Sequence, residues 1–343
     1  MISFPASSQA QNGRVSTNLR TAIAWALFSF SIAIGQASPQ STAAKQSPQD
    51  LVDALHSAFG DHHARAVHAK GVMLQGTFEA ASGAGKLSKA PIFAATGKRP
   101  VVVRFSDFTG IPDIPDNTGD ASPRGFAFKI TLPDGSTTDV VTHSFNGFPV
   151  ATSDQFAELL HAIAASATAT SHPSPIEQFL SNHPVAKAFL TSQRTPTSYA
   201  TATYFGVNSF KFTNGLGKAV YVRYRLIPRA GESYLLSEDL KKRGANFLRD
   251  EVSERIAKGP IVFDWYAQIA EDGDKIEDPS IAWPEDRKLV KLGAIKIDKL
   301  VDDPNLDKQT MFLPGDSQSG IAPADPMLIL RNKAYPISFR NRQ

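Results

Sequence analysis

Val220-Tyr-Val-Arg-Tyr-Arg-Leu226 places Val222, Tyr224 and Leu226 on one side of an extended chain and Tyr221, Arg223 and Arg225 on the other. A period of two predicts a half-buried antiparallel strand. Similar stretches recur at Gly71–Ala80, Val101–Phe108, Gly125–Leu132, Asp139–Phe145, Val207–Thr213, Ala219–Ile227, Ile261–Ala270 and Val290–Ile297. Strands in that number, joined mostly by short loops, are enough to close a barrel and remove its edges. Helical patterns fill the gaps. Pro48–Phe59 carries Leu51, Val52, Leu55 and Phe59 on one face, and Ser153–Ala165 is rich in Ala and Leu. Ser174-Pro175-Ile-Glu177 is a capping box that opens a helix reaching about Leu190. Ser237–Lys258 reads as the longest amphipathic helix, stopped by Gly259-Pro260, and residues 302–325 read as a long loop. The expected fold is α+β: one eight-stranded antiparallel β-barrel with additional helices.

The chain has 343 residues, 42% of them hydrophobic and 20% charged, the composition of an ordinary globular protein. Its net charge is +3, and Arg14 and Arg20 account for two of those charges, so the rest gives no electrostatic footprint for nucleic acid or an anionic membrane. With no cysteine, thiolate metal sites, disulfides and cysteine nucleophiles are excluded. The polar start with Arg14 and Arg20, the apolar run from Thr21 to Ile34, and the small residues Gly35 and Ala37 predict a signal peptide over 1–37. The run is too short to span a bilayer. Residues 38–47 then read as a disordered spacer, and 48–343 as a single exported, periplasmic domain.

Four stretches carry chemistry. Arg65-Ala-Val-His68-Ala-Lys-Gly71 brings a histidine to the start of a strand, which taken alone reads as a buried, hydrogen-bonded core histidine. Val103-Arg-Phe-Ser106 places Arg104 and Ser106 on one face of an apolar strand. Thr142-His-Ser-Phe-Asn146-Gly contains an Asn-Gly turn signal. Arg331-Asn-Lys-Ala-Tyr335 sets a guanidinium four residues before a phenol, hence on the same helix face. An adjacent arginine favours a phenolate, a hard anionic ligand whose best-known use is on haem iron.

Together, and in this order, these motifs resemble the catalase superfamily from about Arg65 to Arg342. Pro123-Arg-Gly-Phe-Ala-Phe-Lys129, Gly206-Val-Asn-Ser-Phe-Lys-Phe212, Asp278-Pro and Trp283-Pro continue the resemblance. It implies haem b as cofactor, with Tyr335 as the iron ligand and Arg331 keeping it ionised. His68 is then the catalytic histidine on the opposite side, with Asn146 beside it and Ser106 orienting its ring. Arg65, Arg104 and Arg342 match positions that meet the haem propionates, and Phe156 one that packs on the haem face. The mechanism implied is proton transfer by His68 while Asn146 positions the peroxide, a ferryl state, and its reduction by a small-molecule electron donor.

The departures point to a subclass. The body begins about 20 residues before His68 and eight follow Tyr335, and the asparagine turn reads Phe-Asn-Gly-Phe-Pro. The sequence looks like a catalase-related peroxidase, for which organic hydroperoxides and hydrogen peroxide are the expected substrates, with weak or no catalase activity. A monomer or small homo-oligomer is expected. Two alternatives stand. One is a fatty-acid hydroperoxide isomerase or lyase of the allene oxide synthase type, against which Val67 stands where those enzymes carry threonine. The other is a non-enzymatic barrel that carries haem or a lipid.

Overall fold

Pairing of strand edges decides the architecture. In the computed structural model, which describes residues 46–94, 97–315 and 317–343, the strands are β1 (Gly71–Ala80), β2 (Lys98–Ser106), β3 (Gly125–Thr131), β4 (Thr137–His143), β5 (Tyr204–Thr213), β6 (Ala219–Pro228), β7 (Ile261–Ile269), β8 (Leu289–Val301) and the short β9 (Ile321–Pro323). They pair in the order β4-β3-β2-β1-β8-β7-β6-β5-β9, and a further β4–β5 pairing closes the first eight into a barrel. Closure rests on one registered pair, His143 with Phe205. The expected antiparallel eight-stranded barrel is present, and β9 adds to the edge of β5 at Phe210–Phe212.

The barrel is filled rather than hollow. Phe105 of β2, Phe126 of β3 and Phe263 of β7 come from strands that are not all neighbours, yet Phe126 lies 4.8 Å from both other rings. Such contacts are made only through the interior. Trp265 closes the next layer against Phe128 at 5.4 Å and Tyr224 at 5.2 Å. Because side chains alternate along a strand, Arg104, Ser106, Gly125, Ala127, Val141 and His143 face outward. Helices cover that outer face: α1 (Pro48–Phe59), α3 (Ser153–Ser166) and α9 (Pro326–Asn341), which share a core of Leu51, Val52, Leu55, Ala157, Leu160 and Ala334. The remaining helices are α2 (Pro91–Ala94), α4 (Pro175–Asn182), α5 (Pro184–Thr191), α6 (Ser237–Leu240), α7 (Phe247–Lys258) and α8 (Pro304–Gln309).

Three expectations are corrected. The helix opened by Ser174 breaks at His183, because Pro184 has no N–H and disfavours helical backbone before it. The expected Ser237–Lys258 helix is two pieces. The backbone between them is held elsewhere: the Ala245 carbonyl accepts from Asp116 N and Lys70 Nζ, both at 2.8 Å, and Asp116 accepts from Leu248 N at 2.8 Å, capping α7. The 302–325 segment contains α8, whose Asp303 cap and Pro304 form a legible start signal, and β9. The proposed leader and residues 38–45 of the spacer lie outside the described residues. Gln46 and Ser47, assigned to the spacer, are placed: Gln46 N donates to Asp154 at 2.9 Å and Ser47 caps α1.

Candidate functional site

Gly125, His143 and Phe205 form one row across β3, β4 and β5, with Ser106 of β2 registered on Gly125 from the other side. His68 enters from the loop before β1 and stands over the glycine. Its ring has room only because Gly125 has no side chain: a methyl there would lie 2.3 Å from Ser106 Oγ and 2.9 Å from His68 Nδ1. Ser106 Oγ is 3.1 Å from that nitrogen, so it orients the ring from behind. His68 has a left-handed backbone, with φ at +57°, a conformation that costs on the order of 1 kcal/mol or more in a non-glycine residue. Arg104 holds it there by donating to the carbonyls of His68 at 2.8 Å and Ala69 at 2.9 Å.

These residues border a cavity between the outer face of β2–β5 and helices α1, α3 and α9. It is a slot with a cavity volume of about 150 Å³. Phe108, Phe148, Phe156, Phe189, Phe205 and Phe312 make its walls largely apolar. Phe156, expected against the cofactor, stands on α3 with its ring 5.0 Å from Phe148.

Tyr335 reaches the slot from α9. Arg331 Nη2 donates to its hydroxyl at 2.9 Å, and Arg331 Nη1 to Asn208 Oδ1 at 2.7 Å. Asn208 Nδ2 in turn donates to Asp325 at 2.6 Å, while the other Asp325 oxygen caps α9 by accepting from Met327 N at 2.8 Å. One aspartate therefore fixes both the start of the helix and the guanidinium one turn above its tyrosine. Burial raises the Asp325 carboxyl above its ordinary value, with the Asn208 hydrogen bond acting the other way.

At one rim, Arg65 and Arg104 share a single carboxylate, Asp307, and Arg342 lies beside them. Arg65 reaches it at 2.7 Å and Arg104 at 2.8 Å, while Arg342 donates to the Thr310 carbonyl at 2.7 Å. The Asp307 carboxyl is lowered even though its burial opposes this, because Arg104 and Arg65 outweigh that cost. Arg65 is pulled down to about 9 and Arg342 to about 10, by burial first and then by the neighbouring guanidinium groups. A surplus of two positive charges in a buried rim calls for a ligand that carries acidic groups.

The expected site residues His68, Ser106, Arg65, Arg104, Arg331, Arg342, Phe156 and Tyr335 all border this one slot. Asn146 does not. Its side chain turns away and donates to Glu285 Oε1 at 3.0 Å, and Glu285 is also held by Arg225 at 2.6 Å. Asn146-Gly147 is the turn its sequence signals, with Gly147 at φ +152°, and the turn carries the amide out of the slot. The residue that lines the slot there is His143. The sequence reading missed it, and also Asn208 and Asp307, whose partners lie more than 100 residues away in the chain.

Burial pulls both histidines down to about 3. For His68 the Arg104 and Arg331 charges add to this, and for His143 the His68 and Arg331 charges do. Both imidazoles are thus neutral near pH 7.

A family model described as Catalase matches residues 56–343. A catalase-related peroxidase of Synechococcus elongatus is 33% identical over 328 residues, covering 93% of this chain and 96% of that protein. One from Mycolicibacterium paratuberculosis is 35% identical over 306 residues, covering 86% and 94%. Catalase isozyme 2 of Hordeum vulgare is 30% identical over 301 residues, but the match spans 60% of that protein. Among solved structures, a fungal catalase superposes with a TM-score of 0.72 at 22% identity, covering 81% of this chain and 59% of the other.

Proposed function

The chain belongs to the catalase family, and from that premise we propose that it is a haem peroxidase of the periplasm that reduces organic hydroperoxides and hydrogen peroxide, with little catalase turnover. The observation that carries this reading is the slot with a neutral, serine-backed imidazole and an arginine-bonded tyrosine on its walls. The residues fit haem. Tyr335 would ligate the iron, with Arg331 against its oxygen. Arg65, Arg104 and Arg342 would meet the two propionates, whose charges match the surplus at the rim, and Phe156 would pack on the ring. With no cysteine there is no thioether attachment, so haem b is the fitting form. Haem, when bound, supplies the redox centre that opens the oxygen–oxygen bond and holds the oxidising equivalents until a donor reduces it.

The chain's own contribution is proton management. His68 Nδ1 is engaged by Ser106, which leaves Nε2 to take the hydroperoxide proton and return it to the departing oxygen. Overall, one hydroperoxide, two electrons from donors and two protons give one alcohol and one water. The phenylalanine walls suit an apolar substituent on the hydroperoxide.

Product analysis tests this reading. Cumene hydroperoxide with a phenolic donor is expected to give cumyl alcohol and oxidised donor in a ratio of one to two, with little oxygen released from hydrogen peroxide. Oxygen release as the dominant reaction would make the protein a catalase. A rearranged product from a lipid hydroperoxide without donor would make it an isomerase. Export predicts that the mature protein begins at Ser38, which N-terminal sequencing reads.

Two further outcomes follow. Gly125→Ala drives a methyl into Ser106 and His68; since misplacing a catalytic group by about 1 Å can cost about 100-fold, peroxide consumption should fall by at least about tenfold while haem content stays unchanged. A proton acceptor works only while neutral, so activity is lost as pH falls through the folded-state value. With His68 held to about 3, the rate of reaction with hydroperoxide should stay flat from pH 8 to about 5. An acid limb centred near the unperturbed value of about 6.5 would show that the ring is solvated.

A further inference from the structure

His143 ends β4 in register with Gly125, the residue over which the His68 ring stands. Phe189 packs edge-on against its ring, with centroids 6.1 Å apart, and fixes its orientation. The backbone N–H of Phe145 donates to His143 Nδ1 at 3.4 Å. That nitrogen therefore holds the lone pair, and the proton sits on Nε2. Nε2 is buried, has no hydrogen-bond partner, and belongs to a ring that lines the slot. A buried donor without an acceptor is costly to keep; it is accounted for if a ligand brings the acceptor. The two imidazoles differ in what they have free. His68 has Nδ1 engaged from behind, whereas His143 has Nδ1 engaged and an N–H to offer.

We propose that His143 is a second catalytic residue of the slot, its Nε2–H donating a hydrogen bond to the oxygens of a bound hydroperoxide while His68 Nε2 takes the proton. The assignment rests on the peroxidase reading above and replaces the role expected of Asn146. No bond is made or broken at His143. The proton passes from the hydroperoxide to His68, and His143 fixes the oxygens at which the transfer occurs.

The test uses the haem-loaded protein and cyanide, whose bound nitrogen accepts from a donor placed as a peroxide oxygen would be. His143→Leu removes the donor, and His143→Gln keeps one in a similar volume. Should the leucine variant fail to fold, His143→Met provides an unbranched apolar side chain. Cyanide binding is expected to weaken about tenfold in the leucine or methionine variant, the scale of one lost hydrogen bond, with faster cyanide release. Hydroperoxide consumption should slow by about 100-fold. The glutamine variant should stay within a few-fold of the native protein in both, and Asn146→Ala should leave cyanide affinity unchanged. Equal cyanide affinity in the apolar and glutamine variants, or a tenfold loss on Asn146→Ala, overturns the assignment to His143. A native protein that takes up no haem overturns the peroxidase reading and this inference with it. A native protein that loads haem and consumes hydroperoxide, yet is indifferent to His143→Leu, overturns this inference alone.

Discussion

Tyr335→Phe yields a folded protein that no longer holds haem. The substitution removes one oxygen and leaves the ring, so α9 keeps its packing against α1 through Ala334 and its cap at Asp325. What the fold loses is the hydrogen bond from Arg331 at 2.9 Å, a half-buried donor, and the net loss is about 1 kcal/mol. What the cofactor loses is the oxygen that would ligate its iron. Removing a residue that merely supports a metal ligand costs roughly 10–100-fold in affinity, so removing the ligand itself should exceed that. Haem absorbance per chain after reconstitution, read beside a thermal melt, measures both effects. A phenylalanine variant with the native haem spectrum would remove Tyr335 from the role of ligand.

His68→Asn has the opposite signature, with haem kept and peroxide chemistry lost. Asparagine is the substitution to make because it tolerates the left-handed backbone of this position, at φ +57°, and has no lone-pair nitrogen that accepts a proton near neutral pH. A positioned acid–base group contributes about 10²–10⁴-fold, and the rate of hydroperoxide consumption should fall by that order. Haem content and the resting spectrum should not change, since His68 ligates nothing. An asparagine variant with native rates would mean that another group moves the proton.

How much of the fold and the slot was legible in the sequence depended on the range of the interaction that fixes each residue. Strands were legible because their signal is local. The alternation in Val101–Phe105 and Phe126–Ile130 matches the side chains that fill the barrel. The Arg331–Tyr335 pair was legible because helical spacing alone puts four-apart residues together. The turn at Asn146 was legible but the direction of its side chain was not, because that depends on where β4 ends and how it registers with β3. A residue three further along passes the strand end, and the Asn-Gly turn points it at Glu285. Helix breaks at His183 and near Ala245 show the same division: the first has a local cause in Pro184, while the second depends on Asp116 and Lys70, distant in the chain. Asp307, which lies among the rim arginines, pairs with Arg104 across 203 residues, a relation that no local pattern carries.

The peroxidase reading and the role of His143 depend on the slot holding haem and on that haem reacting with hydroperoxide. Stopped-flow absorption of the mature protein, loaded with haem and mixed with one equivalent of an organic hydroperoxide, examines both at once. The predicted result is a ferric haem spectrum that changes rapidly on mixing and returns to its starting form after two equivalents of a one-electron donor. A protein that stays colourless after haem is supplied, or a haem spectrum that does not respond to hydroperoxide, would contradict it.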